Sequence, residues 1–392
     1  MMKIKLGNLF EIGSGGTPAK SHSEYYNGNI SWIKTGDLKK QYLFDSEDCI
    51  TEAGLNNSSA KIYDKDTVLI AMYGATIGAT SILKMSACTN QACAAFKKNE
   101  KVIPEYLYYF FRSKKAKFVR AGVGGAQPNI SIGYLKEVPF EFISVEQQRV
   151  VIEILNRVNR IIDLRKEQLK QLDNLIKSRF VEMFGDPVTN PMEWDVKRLK
   201  ELSNKIMSGN TPKGGNQVYV EEGITFFRSQ NVWKNKLDLD NIAYIDEETH
   251  KKMKKSSLKN KDILMTKTGR INTENSSLGR AALYLGKDDC ANINGHVYLI
   301  RLKKDIFNEF VLFILTTNEY REYIRRVCVG GIDKRQINKE HLEEFPIILP
   351  PMELQSEFVF LLHQVKKLKS ETQKAIDNTQ MLLDSLIQKY FE

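Results

Sequence analysis

Ser14-Gly15-Gly16-Thr17-Pro18 returns 194 residues later as Ser208-Gly209-Asn210-Thr211-Pro212. Each copy follows a similar short pattern: Leu6-x-x-Leu9 then Ile12 before the first, Leu199-x-x-Leu202 then Ile206 before the second. Beyond them, Ile30-Ser31-Trp32-Ile33-Lys34-Thr35 matches Ile224-Thr225-Phe226-Phe227-Arg228-Ser229 at the same interval. Both segments read as a buried strand ending in a basic residue and a hydroxyl residue, which makes Trp32 and Phe226 core side chains. Lys65-Asp66 leads through an apolar strand to Gly74, and Lys261-Asp262 leads likewise to Gly269. Gly124-Gly125 precedes Gln127-Pro128-Asn129-Ile130, as Gly330-Gly331 precedes Lys334-Arg335-Gln336-Ile337; Pro139 and Pro346 then close equivalent short strands. Matches in one order along the whole chain indicate an internal duplication.

Each half ends differently in kind. Val151, Leu155, Val158, Ile162, Arg165, Leu169, Leu172, Ile176, Arg179 and Met183 alternate steps of four and three, a heptad seam broken only by the two arginines. Ser144-x-x-Gln147 predicts a capping box at its start, and Gly185 with Pro187 a stop at its end. In the second half Pro350-Pro351 precedes a seam of Phe358, Leu361, Val365, Leu368, Thr372, Ala375, Thr379, Leu382 and Leu386. Leu172-Asp173-Asn174-Leu175-Ile176-Lys177 returns there as Leu383-Asp384-Ser385-Leu386-Ile387-Gln388. Two helices of about forty residues, roughly 60 Å each, cannot bury such stripes against compact domains of their own. They are expected to pack on each other. The fold class is therefore α+β: two tandem α/β domains, 1–143 and 186–350, separated by two long helices, 144–185 and 351–392, packed as an antiparallel coiled coil.

The chain has 392 residues, 42% of them hydrophobic, with a net charge of +10. The charge is uneven, with one cluster at Lys251, Lys252, Lys254, Lys255, Lys259 and Lys261, a second at Lys114, Lys115, Lys117 and Arg120, and a third at Arg321, Arg325 and Arg326. Basic clusters admit a polyanionic partner without demanding one. No run of about eighteen apolar residues occurs, so no membrane span is predicted. Asn8 and Glu11 interrupt any apolar stretch behind the basic N-terminus, so cytoplasm is the expected location. Of the five cysteines only Cys88 and Cys93 are close in sequence, and the five histidines are scattered. No metal site is predicted.

Catalytic signatures are missing. The Gly13–Pro18 stretch lacks the Gly-Lys-Ser/Thr ending of a phosphate loop, and its proline favours a turn. No G-x-G-x-x-G follows a strand, no Asn/Asp-Pro-Pro-aromatic run suggests amino-methyl transfer, and no serine nucleophile elbow is present. The chain is expected to be no enzyme.

Several of these motifs together resemble the specificity (S) subunits of type I restriction-modification systems. They are the Gly-x-Thr-Pro turns at 15–18 and 209–212, the strand 30–38, Asn90-Gln91, Gln127-Pro128-Asn129-Ile130-Ser131, Glu146-Gln147-Gln148 and Met183-Phe184-Gly185-Asp186-Pro187. The resemblance spans essentially the whole chain. It departs at Asn294-Gly295-His296, where Asn-Gln would be expected, and at Lys334-Arg335-Gln336, which replaces Gln127-Pro128-Asn129. It implies that each domain is a target-recognition domain reading one half of a split site in double-stranded DNA. It also implies that the helices fix the gap and dock two methyltransferase subunits that methylate adenine N6, with restriction/translocase subunits completing the assembly. S-adenosylmethionine, ATP and Mg would then sit on those partners, and no cofactor on this chain.

Base edges are read by forked side chains, Arg or Lys for guanine and Asn or Gln for adenine, while hydroxyls and lysines set register on phosphates. By that chemistry the first-domain candidates are Lys34, Thr35, Tyr73, Gln91, Gln127 and Asn129. The second-domain candidates are Arg228, Ser229, Gln230, Asn231, Lys267, Arg270, Lys334, Arg335 and Gln336. Domains about 40–60 Å apart would meet DNA roughly one to one and a half turns apart. Alternatives remain: a DNA methyltransferase or nuclease acting alone, a stand-alone DNA binder, or a specificity subunit of a related defence system.

Overall fold

A computed structural model describes residues 2–122, 129–270, 276–331 and 334–391. The chain divides into two compact units, Met1–Leu169 with Glu371–Glu392, and Lys170–Ser370.

In the first unit Val68-Leu69-Ile70-Ala71, a continuous apolar run, forms a strand buried throughout. The two-residue period of a strand splits it between two cores. Val68 and Ile70 join Tyr106, Phe110 and Phe111 of the helix Pro104–Ala121, whereas Leu69 and Ala71 face Leu43, Leu83 and Tyr63. The sheet runs in the order Ile12–Ser14, Cys93–Phe96, Val68–Ala71, Thr80–Leu83, Tyr42–Leu43. A second sheet places Tyr26–Ile33 between Cys49–Ile50 and Ala87–Thr89, and Trp32 is buried in it. The second unit repeats the plan. Ser203–Ser208, Val297–Leu302, Ile263–Thr266 and Ala281–Leu283 form one sheet, and Ile224–Phe227, carrying the buried Phe226, lies between Ala243–Ile245 and Ala291–Ile293 in another.

The duplication holds bond by bond. Leu6 N–H donates to Val138 O and Leu199 N–H to Phe345 O; Asn90 N–H donates to Ile33 O and Asn294 N–H to Phe227 O. One sequence match shifts by a residue. Asp66, at φ +70°, is replaced by Lys261, at φ +69°, rather than by Asp262, and their amides donate to Leu83 O and Tyr284 O. Left-handed backbone geometry is the repeated feature there, and the side chain is not.

The central helix is Val145–Phe184 and the C-terminal helix Met352–Phe391. Ser144 and Gln147 exchange hydrogen bonds of 3.1 and 3.3 Å in the expected capping box, and Gly185 closes the helix at φ +75°. The helices pair antiparallel. In the first unit Arg165 Nη1 donates across the seam to Ala375 O at 2.6 Å and to Thr379 Oγ1. In the second, Asp173 meets Lys369 at 2.6 Å, Arg179 meets Glu357 at 3.2 Å, and Phe180 and Phe184 pack on Phe358.

The central seam follows the expected positions. The C-terminal seam differs: Leu368 and Leu382 are 47% and 51% exposed, while Val365, Ile376, Leu383 and Ile387 are buried. The seam steps by four after Val365, to Lys369, which turns both leucines out by one position. Gln148 and Gln355, both buried, bond the backbone at the start of their helices. From there the two helices are equivalent at an interval of 207 residues. The Leu172–Lys177 match to Leu383–Gln388 lies one helical turn beyond that interval, and so on the same face.

Candidate nucleic-acid interface

The Gly-x-Thr-Pro turns need glycine for a steric reason. A Cβ on Gly15 would lie 1.8 Å from Thr89 O, and one on Gly209 2.0 Å from Ile293 O. This close approach seats each turn on the strand end that leads to Asn90 or Asn294. Gly16 N–H donates to Thr89 O, and the buried Trp32 indole N–H donates to Gly16 O at 3.0 Å.

Backbone hydrogen bonds gather the remaining loops at the same edge. In the first unit Asn90 bonds Ile33 O, Met72 bonds Ala92 O, and Ile130 bonds Met72 O, with Tyr73 bridged to Asn129. In the second, Asn294 bonds Phe227 O, Lys267 bonds His296 O, Ile337 bonds Lys267 O, and Thr268 pairs with Gln336. The side-chain caps repeat as well, since Asn90 Oδ1 and Asn294 Oδ1 each accept from the amide two residues on, at 3.1 Å.

These bonds bring Lys34, Thr35, Tyr73, Gln91 and Asn129 together in the first unit; Gln127 lies outside the described residues. Tyr73, Gln91 and Asn129 are exposed. Gln91 Oε1 accepts from Thr17 Oγ1 at 2.5 Å, tying it to the glycine turn; Gly295 takes its place beside Thr211 in the second unit. The Lys34 ammonium bonds Asp48, which raises its pKa, and it lies 5.9 Å from the Trp32 ring centre. It is a charge held in place.

In the second unit Arg228, Ser229, Gln230, Lys267, Arg270, Lys334, Arg335 and Gln336 share one edge. Gln230, Arg270 and Lys334 are exposed, the others half-buried. Arg228 stacks 5.7 Å from the Tyr219 ring centre and donates to Asn241 O. Arg335 Nη1 reaches Arg325 O at 3.4 Å, and Gln336 donates to Asn338. Asn231 differs from the rest. It is 1% exposed, its Oδ1 accepts from Arg228 N–H, and its amide nitrogen donates to Asp238 O at 3.1 Å. Its amide shapes the loop and has nothing left to offer outward. The first unit uses Asp37 at that position, bonding Lys34 N–H at 2.7 Å.

Residue patterns alone do not bring Trp233, Arg280 and Arg321 together. The Arg280 guanidinium sits 3.8 Å from the Trp233 ring centre, and Trp233 donates to Gln230 O at 3.0 Å. Arg280 Nε donates to Ser276 O at 3.0 Å, and Arg321 reaches the same oxygen at 3.5 Å. Burial, then each guanidinium's cationic neighbour (Arg321 for Arg280, Arg325 for Arg321), depresses both pKa values. No short sequence interval joins the three.

Among the described residues, no group of three or more His, Cys, Asp or Glu side chains could hold a metal ion. None of the described helices is long and apolar enough to cross a membrane. Residues 1–174 and 191–379 match the type I restriction modification DNA specificity domain, once in each half of the chain. The chain belongs to that family. This specificity subunit is 26% identical to the type I restriction enzyme MjaIX specificity subunit of Methanocaldococcus jannaschii, over 98% of this chain and 91% of that one. The EcoR124I/EcoR124II specificity subunit of Escherichia coli is 26% identical over 45% of this chain and 48% of its own. In fold, the specificity subunit is similar to a chain from a type I R-M system (TM-score 0.65, 18% identity, covering 100% of this chain and 97% of that one). It is also similar to the S subunit from M. genitalium (TM-score 0.53, 13% identity, 100% and 96%). The family is that of the DNA specificity domain of type I restriction-modification systems, present once in each half of the chain.

Proposed function

We propose that the chain recognises a two-part target in double-stranded DNA, one half per domain, and positions two adenine-N6 methyltransferase subunits on it in the cytoplasm. Restriction/translocase subunits join the same assembly, and S-adenosylmethionine, ATP and Mg are bound by those partners. The observation carrying this reading is one loop edge built twice from the same backbone hydrogen bonds, presenting different side chains in the two units. A shared frame with unlike tips suits two readers of unlike sequence. The reading domains are taken as 1–143 and 186–350, and the helices 144–185 and 351–392 as the ruler between half-sites.

Exchange of residues 3–143 for the corresponding part of a relative tests it, with methylated adenines mapped genome-wide. One half-site is expected to change while the other half and the gap persist; a change in both halves overturns independent reading. Four residues inserted near Gln168 should lengthen the gap by about one or two base pairs with both half-sites unchanged.

A further inference from the structure

Lys205 stands opposite Arg301 in the sheet of the second unit, a cation facing a cation. The first unit has Glu11 and Lys97 at the same two positions, where Lys97 N–H donates to Glu11 O and the side chains form an ion pair at 2.6 Å. A nearby turn differs in the same sense. Thr67 N–H donates to Asp64 O in the first unit and Asp262 N–H to Lys259 O in the second, so Lys259 takes the place of Asp64. At the same interval Lys254 and Lys255 replace Ser59 and Ala60, while Lys61, Lys65 and Asp66 become Ser256, Asn260 and Lys261. Over these matched positions the first unit is neutral and the second is cationic.

The second-unit cations share one surface. Lys205 Nζ donates to Lys255 O at 2.5 Å. Burial, then the neighbouring charges of Arg301, Lys259 and Lys255, holds the Lys205 pKa below its ordinary value against the pull of Asp262. Arg301 bonds both oxygens of Asp262 at 2.8 and 2.7 Å. Asp288 and Asp289 accept from the Asn260 amide and the Ser257 hydroxyl, so these acids are already held. Lys254, Lys255 and Lys259 are exposed, and among the described residues none of the three is in an ion pair. Lys205 lies three residues before Ser208, about 10 Å along the strand from the reading edge. Loops that reach base edges at the floor of a major groove about 8.5 Å deep leave the bordering phosphates level with residues that far behind their tips. The lysines stand at that height.

We infer that Lys205, Lys254, Lys255 and Lys259 form a phosphate-binding shelf that grips the DNA backbone beside the half-site of the second domain, with no counterpart on the first. Ammonium groups on flexible stems set affinity and register on phosphates without reading bases. Two domains with one backbone plan therefore hold the duplex unequally, the second adding backbone grip where the first carries a closed Glu11–Lys97 pair. The inference rests on the reading of the chain as a two-domain DNA reader and deepens it by naming a contact made by one domain alone.

Full-length chain bound to its methyltransferase partner, with a duplex carrying the mapped target, tests the inference through the salt dependence of binding. Lys254→Gln with Lys255→Gln and Lys259→Gln should flatten the slope of log affinity against log salt by roughly two to three, at about 0.9 per phosphate contact. Target and unrelated duplex should weaken alike, by about tenfold or more, with the methylated sequence and the urea midpoint unchanged. Ethylated phosphates beside the second half-site should block the parent and not this variant, and those beside the first half-site should affect both equally. Lys205→Gln, made separately because that side chain is half-buried, should flatten the slope further when added to the other three. Glu11→Lys with Asp64→Lys should steepen the slope and create the same interference beside the first half-site. An unchanged slope in the triple variant would overturn the shelf and leave the DNA reading intact. A loss confined to the target duplex would make the lysines base readers and would overturn it too. An unchanged slope joined to loss of a copurifying protein would give the surface to an acidic partner, again against the inference. A parent with no preference for its target over unrelated duplex would overturn the two-domain reading as well.

Discussion

The Arg280 guanidinium stacks 3.8 Å from the ring centre of Trp233, joining the loop that follows the Ile224–Phe227 strand to the one that precedes Ala281. Arg280 is 8% exposed and Trp233 39% exposed, so the ring shields one face of a desolvated cation. Trp233→Ala is expected to lower stability by about 1–2 kcal/mol, the range of a partly desolvated cation–π contact, and Trp233→Phe to restore part of that. Urea midpoints at unchanged slope are the measurement; a midpoint unmoved by the alanine would remove the stack from the account.

Gly15 and Gly209 tolerate no Cβ, because a carbonyl oxygen occupies its place in each case. Gly15→Ala and Gly209→Ala should each cost about 2–4 kcal/mol, at or above the upper end for overpacking, since backbone must move. Gly36→Ala in the neighbouring loop has nothing within 4 Å and should stay within about 0.5 kcal/mol of the parent. Thermal melts of the three variants side by side decide the matter.

Adjacent residues in one loop should separate by role. Asn231→Ala leaves buried backbone groups without their partners and is expected to cost about 1–3 kcal/mol. Gln230→Ala should leave stability unchanged and reduce discrimination at one base pair of the second half-site. Competition binding with single-base variants of the site reads the second effect.

Asp66 gives a pH signature. Burial opposes its charge, but hydrogen bonds from Lys84 and Lys98, at 2.9 and 3.2 Å, outweigh that and hold its pKa below the ordinary value. A carboxylate with its folded pKa depressed stabilises the protein above its unfolded pKa of about 3.9, and that contribution is lost as pH falls through the folded value. Asp66→Asn, which tolerates the left-handed backbone at this position, should flatten the acid limb of the stability curve below about pH 4. Equal acid limbs for parent and variant would refute the assignment.

Thiol reactivity should follow burial. Cys93 and Cys88 are 0% exposed, with burial pushing their thiols up to about 12 and about 11, whereas Cys290 is exposed. Brief iodoacetamide treatment of native protein is expected to label Cys290 and to spare both buried thiols, as peptide mass spectrometry would show.

Much of the architecture could be read along the chain. The paired turns, the Ser144 cap, the Gly185 stop and the central seam are all local or periodic features, and each lies where its pattern placed it. The C-terminal seam went astray at Leu368 and Leu382 because that helix carries two adjacent apolar rows, and periodicity alone cannot choose between them. The Lys65-Asp66 match slipped by one because the repeated property was a backbone angle, which an aspartate and a lysine can both adopt.

The sequence by itself determined the twofold plan, the helix limits and the glycine turns, since backbone sterics and periodic burial act between near neighbours. Tertiary structure alone decided which candidate side chains remain available. Asp48 holds Lys34, Thr17 holds Gln91, and the Asp238 carbonyl uses up Asn231. The physical reason is that a hydrogen-bonding group faces outward only when no partner reaches it, and those partners are delivered by chain segments that local sequence does not specify.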